Sequence, residues 1–349
     1  MTHNILVTGV GGRSVGAGIL HSLHRSSSVK ERCWNVVAAD ADPFSWGLYV
    51  VPRRTLLPPA VAPNYIEEVR KAVRRFDIHA IIPGTEIETQ VLAGQSAALG
   101  VPVITNSPGL IPLMMDKRLA EVRLRDLGVP SVPSYAPHQA AEAVREHGFP
   151  LVAKPAVGSG GSRGLALIMD QVELDAHLER SAGAESMIIQ PYLGTPEEEY
   201  TVGVLHLADG TRVDSIVMRR KLVGLSLLQQ RRLGEASAAI STGYSQGFFV
   251  EDPQIRAFCE DLADRLGSRG PLNLQLRRHA GRLYVFEIHP RFSGTTPMRA
   301  DVGFNEPDIL LRHALFGESF GPLGYRTGVA VIRAFEHTVV DLSELSQPG

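Results

Sequence analysis

The sequence predicts an α/β unit built on a parallel sheet, followed by a larger α+β region, and three observations carry that expectation. Over residues 1 to about 108, short apolar strands alternate with amphipathic helices, the pattern of a parallel sheet covered on both faces. Beyond residue 190 strands dominate, with only two helical interruptions. The 349 residues also exceed what one hydrophobic core ordinarily organises, so two or three units are expected.

In chain order, NILVTGV reads as a buried strand, GGRSVGAG as a tight turn and AGILHSLHRS as a helix. NVVAADAD is a second strand ending in carboxylates. YIEEVRKAVRRFDI reads as a helix, AIIPGTE as a strand, QVLAGQSAALG as a helix and PVIT as a strand. In MMDKRLAEVRLRDLGVPSVPSY, Met115, Leu119 and Val122 are expected on one helical face, with Asp116 as the cap and Gly128 as the stop before Pro130. Helix HQAAEAVREHG, strand PLVAK, a glycine-rich loop, strand GLALI, helix QVELDAHLERS and strand SMIIQPY make a small α+β module. The remainder reads as strands EYTVGVLHL, TRVDSIVMRRK, LNLQLRRH, RLYVFEIHP and GVAVIRAFE, with helices near 253–266 and 306–316. The expected divisions are 1–108, 109–190 and 191–349.

Composition narrows the function. The chain is 44% hydrophobic and 21% charged with a net charge of −2, so no basic field is available for nucleic acid or an anionic membrane. Cys33 and Cys259 are too few and too far apart for a disulfide framework or a metal-ligand spacing. MTHNILVTGV has no basic stretch leading a long apolar run, and the expectation is a cytoplasmic protein.

Two glycine clusters invite a phosphate. GVGGRSVG, residues 9–16, has Ser14 where a dinucleotide fingerprint needs its third small residue, and Asp40 lies too far along for the usual ribose contact. A tight turn at the mouth of the sheet is favoured there over an NAD site. LVAKPAVGSGGSRGLALI, residues 151–168, places Lys154 ahead of a run of glycine and serine. It is not a Walker A loop, whose lysine follows the glycines. A flexible flap over phosphates, with Lys154 as a point charge on the preceding strand, explains both features.

LNLQLRRHAGRLYVFEIHPRFSGTT, residues 272–296, reads as a hairpin turning at Ala280-Gly281. Glu287, His289 and Arg291 sit two apart and share a strand face, with Gln275 about opposite Glu287. Leu283, Val285 and Ile288 are left for the core. A carboxylate and an amide oxygen suit Mg²⁺, which completes its shell with phosphate and water. Arg291 can fork to a phosphate or acyl phosphate, and Ser293 and Thr295 add hydroxyls beside it.

Taken in order, these stretches resemble the ATP-grasp superfamily, nearest its carbamoyl-phosphate-synthase-like branch and the carboxylate–amine ligases, over residues 4 to about 335. The resemblance implies an N-terminal parallel-sheet (pre-ATP-grasp, Rossmann-like) domain followed by a two-lobed ATP-grasp fold. The small lobe would carry the lid, and the large lobe the metal and substrate site. It implies that Lys117 in MDK and Lys154 in VAKP hold the ATP phosphates under a lid running from Gly158 through Ser159, Gly160, Gly161 and Ser162 to Gly164. Gln190, Tyr192 and Leu193 match the hinge against adenine, and Glu199 in EYTV the acid for the ribose hydroxyls. Gln275 and Glu287 match the ligands of two Mg²⁺ ions, for which Mn²⁺ can substitute. Arg291 and Arg220 match cations that stabilise the transferred phosphoryl group, Arg219 and Lys221 flanking the latter. The chain reads Glu287-Ile288-His289-Pro290-Arg291 where most members have asparagine third, which leaves open whether His289 meets metal, phosphate or neither.

The implied chemistry transfers the ATP γ-phosphoryl group to a carboxylate, and an amine then displaces phosphate from the acyl phosphate, leaving ADP. The partners are a small carboxylate and an amine, and a homodimer fits the family. Glu86 and Glu88 in PGTEIET could hold an ammonium group, and Arg299 in PMRADVG could fork to a substrate carboxylate. Two alternatives stay open: a nucleotide-binding regulator with altered chemistry and, less favoured, an NAD-linked oxidoreductase.

Overall fold

The structure, a computed structural model, describes residues 3–12, 14–27, 34–158, 164–180, 187–233 and 236–345. Strands β1 (His3–Thr8), β2 (Trp34–Asp40), β3 (Arg53–Leu56) and β4 (Ile78–Ile82) form a parallel sheet in the order β3-β2-β1-β4. Alternation along β1 divides its side chains between two layers. Ile5 and Val7 meet Ile19, Leu20 and Leu23 of helix α1 (Val15–Ser27), whereas Leu6 meets Tyr65, Val69 and Ala72 of α2 (Tyr65–Phe76).

Three local expectations change. QVLAGQSAALG is not one helix: α3 (Glu86–Leu92) and α4 (Ser96–Leu99) are separated at Gly94, whose φ of 78° cannot continue a helix. PVIT forms no strand but a single bridge, Val103 to Ile81. Met115 ends α5 (Leu110–Met115), while Leu119 and Val122 lie on α6 (Lys117–Asp126) at 48% and 42% exposure, so the three share no buried face. The extended Asp116 breaks the helix between them and caps the second half.

The small lobe is the antiparallel sheet β6-β5-β7, made of β5 (Leu151–Pro155), β6 (Ala166–Ile168) and β7 (Met187–Pro191). Helix α7 (Ala140–His147) and helix α8 (Gln171–Arg180) contribute Ala140, Ala143 and Leu174 to its core. The third region adds β8 (Glu199–His206), β9 (Arg212–Arg220), the hairpin β10 (Leu227–Leu233) and β11 (Ala236–Ser241), β12 (Gly247–Phe249), β13 (Pro271–His279), β14 (Arg282–His289) and β15 (Val329–Val331). Six of these form one antiparallel sheet, β14-β13-β8-β9-β12-β15. The β10–β11 hairpin went unread because LLQQRRL lacks the apolar alternation of a half-buried strand.

One face of that sheet packs on α9 (Pro253–Arg265) and on α5 and α6. The other shares a core with α1, α10 (Thr296–Asp301) and α11 (Glu306–Phe316), so the parallel-sheet unit and the large sheet are locked through α1. Residues 130–135 cross between lobes, bridging Val285 of β14 at Ser131 and Ile189 of β7 at Tyr135. Among the described residues no helix is long and apolar enough to cross a membrane.

Candidate active site

The site is built where β5, α6 and β14 meet. Asp116 accepts the Arg118 N–H (2.9 Å), which starts α6 at Lys117, and the Lys117 N–H donates to Ala156 O (3.0 Å) just past β5. That contact aims Lys117 Nζ at Glu287 Oε1, 3.5 Å away. From β5, Lys154 Nζ donates to the Phe286 carbonyl (3.1 Å). Burial draws the Lys154 ammonium down to about 7; Glu287 opposes the fall, while Lys117 and Arg277 add to it. Burial also pushes the Glu287 carboxyl up, but His289, Lys117 and Lys154 outweigh it and hold the group well below the usual carboxylate range.

A β-bulge sets the register. Around the Ala280-Gly281 turn, both residues at positive φ, the pairing runs His279 with Arg282 through Leu276 with Val285. An unbroken ladder would then put Phe286 opposite Gln275. The chain instead bulges there, and Gln275 pairs with Glu287. Gln275 Nε2 donates to Glu287 Oε2 (2.8 Å), and His289 Nε2 lies 3.3 Å from the same oxygen. The bulge also turns Ile288 onto the core face with Leu283 and Val285, all three buried.

As a metal position, the pair offers an ionised carboxylate and an amide oxygen, hard donors that fit Mg²⁺. Among the described residues no cluster of three or more His, Cys, Asp or Glu could cage a metal alone. A cation here would complete its shell with phosphate oxygens and water. The ring nitrogen of His289 is a poor Mg²⁺ donor.

Beside this pair lies a second carboxylate, and this one is buried. Glu199 opens β8 and receives Arg220 Nη1 on Oε1 (2.7 Å) and Arg277 Nε and Nη2 on Oε2 (2.9 and 2.5 Å). Both oxygens are occupied and the side chain is 2% exposed, so the structure brings no open carboxylate to a ribose at this position. Arg220 Nη1 also reaches Gln275 Oε1 (3.4 Å), while its Nε and Nη2 are buried with no partner. Arg277, which sequence reasoning passed over, lies 3.9 Å over the Tyr192 ring and 5.4 Å from that of Phe286. Its spacing of two from Gln275 was the available signal.

Of the hinge residues, Gln190 pairs with Val152 in the β5–β7 ladder, and its side chain donates to Val132 O (3.2 Å) and Ser134 Oγ (2.9 Å). The Tyr192 hydroxyl donates to Ala239 O and accepts the Ala239 N–H. Leu193 follows, half-buried. Lys117, Gln190, Phe286 and Glu287 line one narrow crevice, joined by Glu121, also unread from the sequence, whose carboxyl burial raises. Gly158 has φ 72°; Ser159, Gly160, Gly161 and Ser162 lie outside the described residues.

The parallel-sheet unit reaches the site through Glu86, at the start of α3, whose Oε2 is 3.6 Å from Arg291 Nη2. Ser293 and Thr295 are buried and hydrogen-bond to each other (2.6 Å). Arg299 is a correction: it is 1% exposed, bonded to Glu306 (3.0 Å) and Asn273 (2.6 Å), and presents no open edge to a substrate. Glu88 is likewise committed, closing a capping box with Thr85 and accepting the Tyr65 hydroxyl (3.2 Å). The first glycine turn is consumed by packing. A Cβ on Gly16 would meet Gly9 O at 2.3 Å, and Asp40 accepts the Gly11 N–H (3.0 Å) instead of facing a ribose.

A parallel-sheet unit locked to a two-lobed sheet pair, with Lys154 of the small lobe and Lys117 of α6 converging near a carboxylate of the large sheet, defines a nucleotide-binding fold of the grasp type. Comparison with known proteins agrees. Residues 183–333 match the family described as ATP-grasp in the biosynthetic pathway with Ter operon. The carbamoyl phosphate synthase large chain of Thermomicrobium roseum is 30% identical over 250 residues, 68% of this chain but 22% of that protein. The chain spans about a quarter of the length of such relatives. In fold it is similar to the biotin carboxylase domain of Hydrogenobacter thermophilus 2-oxoglutarate carboxylase, crystallised with MgADP and bicarbonate. The TM-score is 0.65 at 17% identity, over 90% of this chain and 70% of that one. It is also similar to D-alanine–D-alanine ligase of Bacillus anthracis (TM-score 0.60, 16% identity, 91% and 98% covered). The chain belongs to the ATP-grasp superfamily, in its carbamoyl-phosphate-synthase-like branch.

Proposed function

We propose that the chain is an ATP-dependent ligase that activates a small-molecule carboxylate as an acyl phosphate, joins it to an amine, and releases ADP and phosphate. The observation that carries this reading is the convergence of Lys117 and Lys154, from two different elements, on an ionised Glu287 paired with Gln275. Phosphoryl transfer asks for positioned charge more than for a covalent group, and this cluster supplies it. Glu287 and Gln275 would hold Mg²⁺, which would supply positive charge to offset that of the phosphates. Lys117 and Lys154 would cradle the β- and γ-phosphates, and Arg291 and Arg220, two of whose nitrogens are buried without a partner, would stabilise the transferred group. Gln190, Tyr192 and Leu193 would border the adenine. Glu86 sits where it can leave Arg291 for an arriving amine.

The test is ADP and phosphate release with Mg²⁺-ATP across amino acids and small acids, singly and in pairs, with Mn²⁺ replacing Mg²⁺ in parallel. Turnover that requires two components and yields ADP, not AMP, supports the ligase. Tight ATP binding without turnover in any pair would favour a nucleotide-binding regulator.

A further inference from the structure

Arg333 follows β15 and turns back toward the loop after Arg291. Its Nη2 donates to the Gly294 carbonyl (2.6 Å), its guanidinium lies 5.3 Å over the Tyr244 ring, and its backbone N–H meets Gln246 Oε1 (3.4 Å). Three arginines in or near the site each have an acid: Arg220 has Glu199, Arg291 has Glu86 and Arg299 has Glu306. Arg333 is half-buried, and among the described residues no carboxylate pairs with it. Burial lowers its pKa, and only Tyr244 works against that. Lys221, exposed, is tied to the same corner through its N–H on Gln246 O (2.8 Å).

The Gly294 carbonyl that Arg333 holds lies three residues after Arg291, whose own acid is Glu86, so the loop carries one guanidinium with a carboxylate partner at its start and meets one without, among the described residues, at its middle. An uncompensated, partly desolvated guanidinium is costly, and a planar fork backed by an aromatic ring is well matched to a carboxylate. We propose that Arg333 anchors a second anionic group of the acid substrate. The substrate class is then a dicarboxylate, or another carboxylic acid with a second negative group, whose activated carboxylate lies on the Arg291 side of Gly294. This rests on the ligase reading and deepens it by naming the substrate class.

The experiment traps acyl phosphate as a hydroxamate, with hydroxylamine standing in for the amine. The acids are acetate, propionate, glycine and alanine against malonate, succinate, glutarate, aspartate, glutamate and citrate. Hydroxamate from one or more of the second group, with the first group at least about ten-fold poorer, is expected. Arg333→Gln should raise KM for the preferred acid about 10- to 100-fold, the scale of one lost charge-assisted contact, with the KM for ATP unchanged and partial recovery in Arg333→Lys. Monocarboxylates used equally well would overturn the proposal. So would an Arg333→Gln enzyme that loses kcat and thermal stability for every acid alike, the signature of a merely structural tether. If no acid gives hydroxamate, the ligase reading fails separately, and calorimetric titration of the same acids into the MgADP-bound protein decides. Binding of diacids lost in Arg333→Gln retains the anion site, and no binding of any acid removes it.

Discussion

Two glutamates on neighbouring parts of one sheet, one buried and one half-buried, are held in opposite ways. Glu199 is 2% exposed and locked by the forks of Arg220 and Arg277, whereas Glu287 is 18% exposed and faces an ammonium, an imidazole and an amide. Arginine forks fix both carboxylate oxygens in one plane, whereas lysine is a point charge on a flexible stem that can be turned to another anion. One carboxylate is therefore committed to architecture and the other is free to exchange partners. On the proposed reading, that difference, more than burial or charge alone, separates the side of the sheet that would meet phosphate from the side that holds it together.

The comparison can be broken most directly at Glu199. Glu199→Gln leaves two arginines buried around a neutral amide, and a stability loss of about 3–5 kcal/mol is expected in urea or thermal unfolding. Unchanged stability with a raised KM for ATP would mean instead that Glu199 meets the nucleotide and the lock is incidental. Glu287→Gln should behave in the reverse sense. Turnover should fall about 10²- to 10³-fold, the scale of removing one preorganised electrostatic contact, while the nucleotide still binds. A fully active variant would remove Glu287 from the reaction.

Lys154 sharpens the contrast through pH. Its ammonium is pulled down to about 7 from 10.5, so above pH 7 the free site loses that proton. An arriving phosphate favours the charged form and returns it. Nucleotide affinity should be flat below pH 7 and then fall by up to about ten-fold per pH unit until the pKa of the bound state is reached. For the unliganded protein the sign differs. The unfolded chain holds this proton up to 10.5, so this lysine makes stability rise with pH between 7 and 10.5. Calorimetry at about pH 8 in buffers of different ionisation enthalpy should show proton uptake on binding, and Lys154→Arg should abolish it. Binding without proton uptake would mean that the lysine is already charged.

The sequence made these partners legible to different degrees. Strand periodicity put Glu287, His289 and Gln275 on one hairpin, and the turn at Ala280-Gly281 was readable from its residues. The bulge at Phe286 was not, because an inserted residue leaves no mark in a short strand whose next residues are equally acceptable on either face. Arg277 and Arg333 were hidden for another reason. A basic residue on a strand reads as solvated until its partners, here Glu199 in β8 and Gly294 in a distant loop, are known. Arg299 failed in the opposite direction: its acid, Glu306, is seven residues away in the next helix, and no local signal said that both would be buried.

The smallest effect is expected on the outer face of α6, the helix that begins at Lys117. Spacing made Leu119 and Val122 look like core, yet both are about half exposed, while Ala120 and Leu124 are buried on the opposite side. The inner face fixes the Lys117 end of the site and the outer face touches little of the chain. Leu119→Gln should therefore change stability by no more than about 0.5 kcal/mol, read from the urea midpoint at constant slope, with turnover unaffected. A loss of about 2 kcal/mol, or one that grows with protein concentration, would instead mean that this face is covered in solution. It would then make α6 the element that joins a second copy of the chain to Lys117, the proposed phosphate contact.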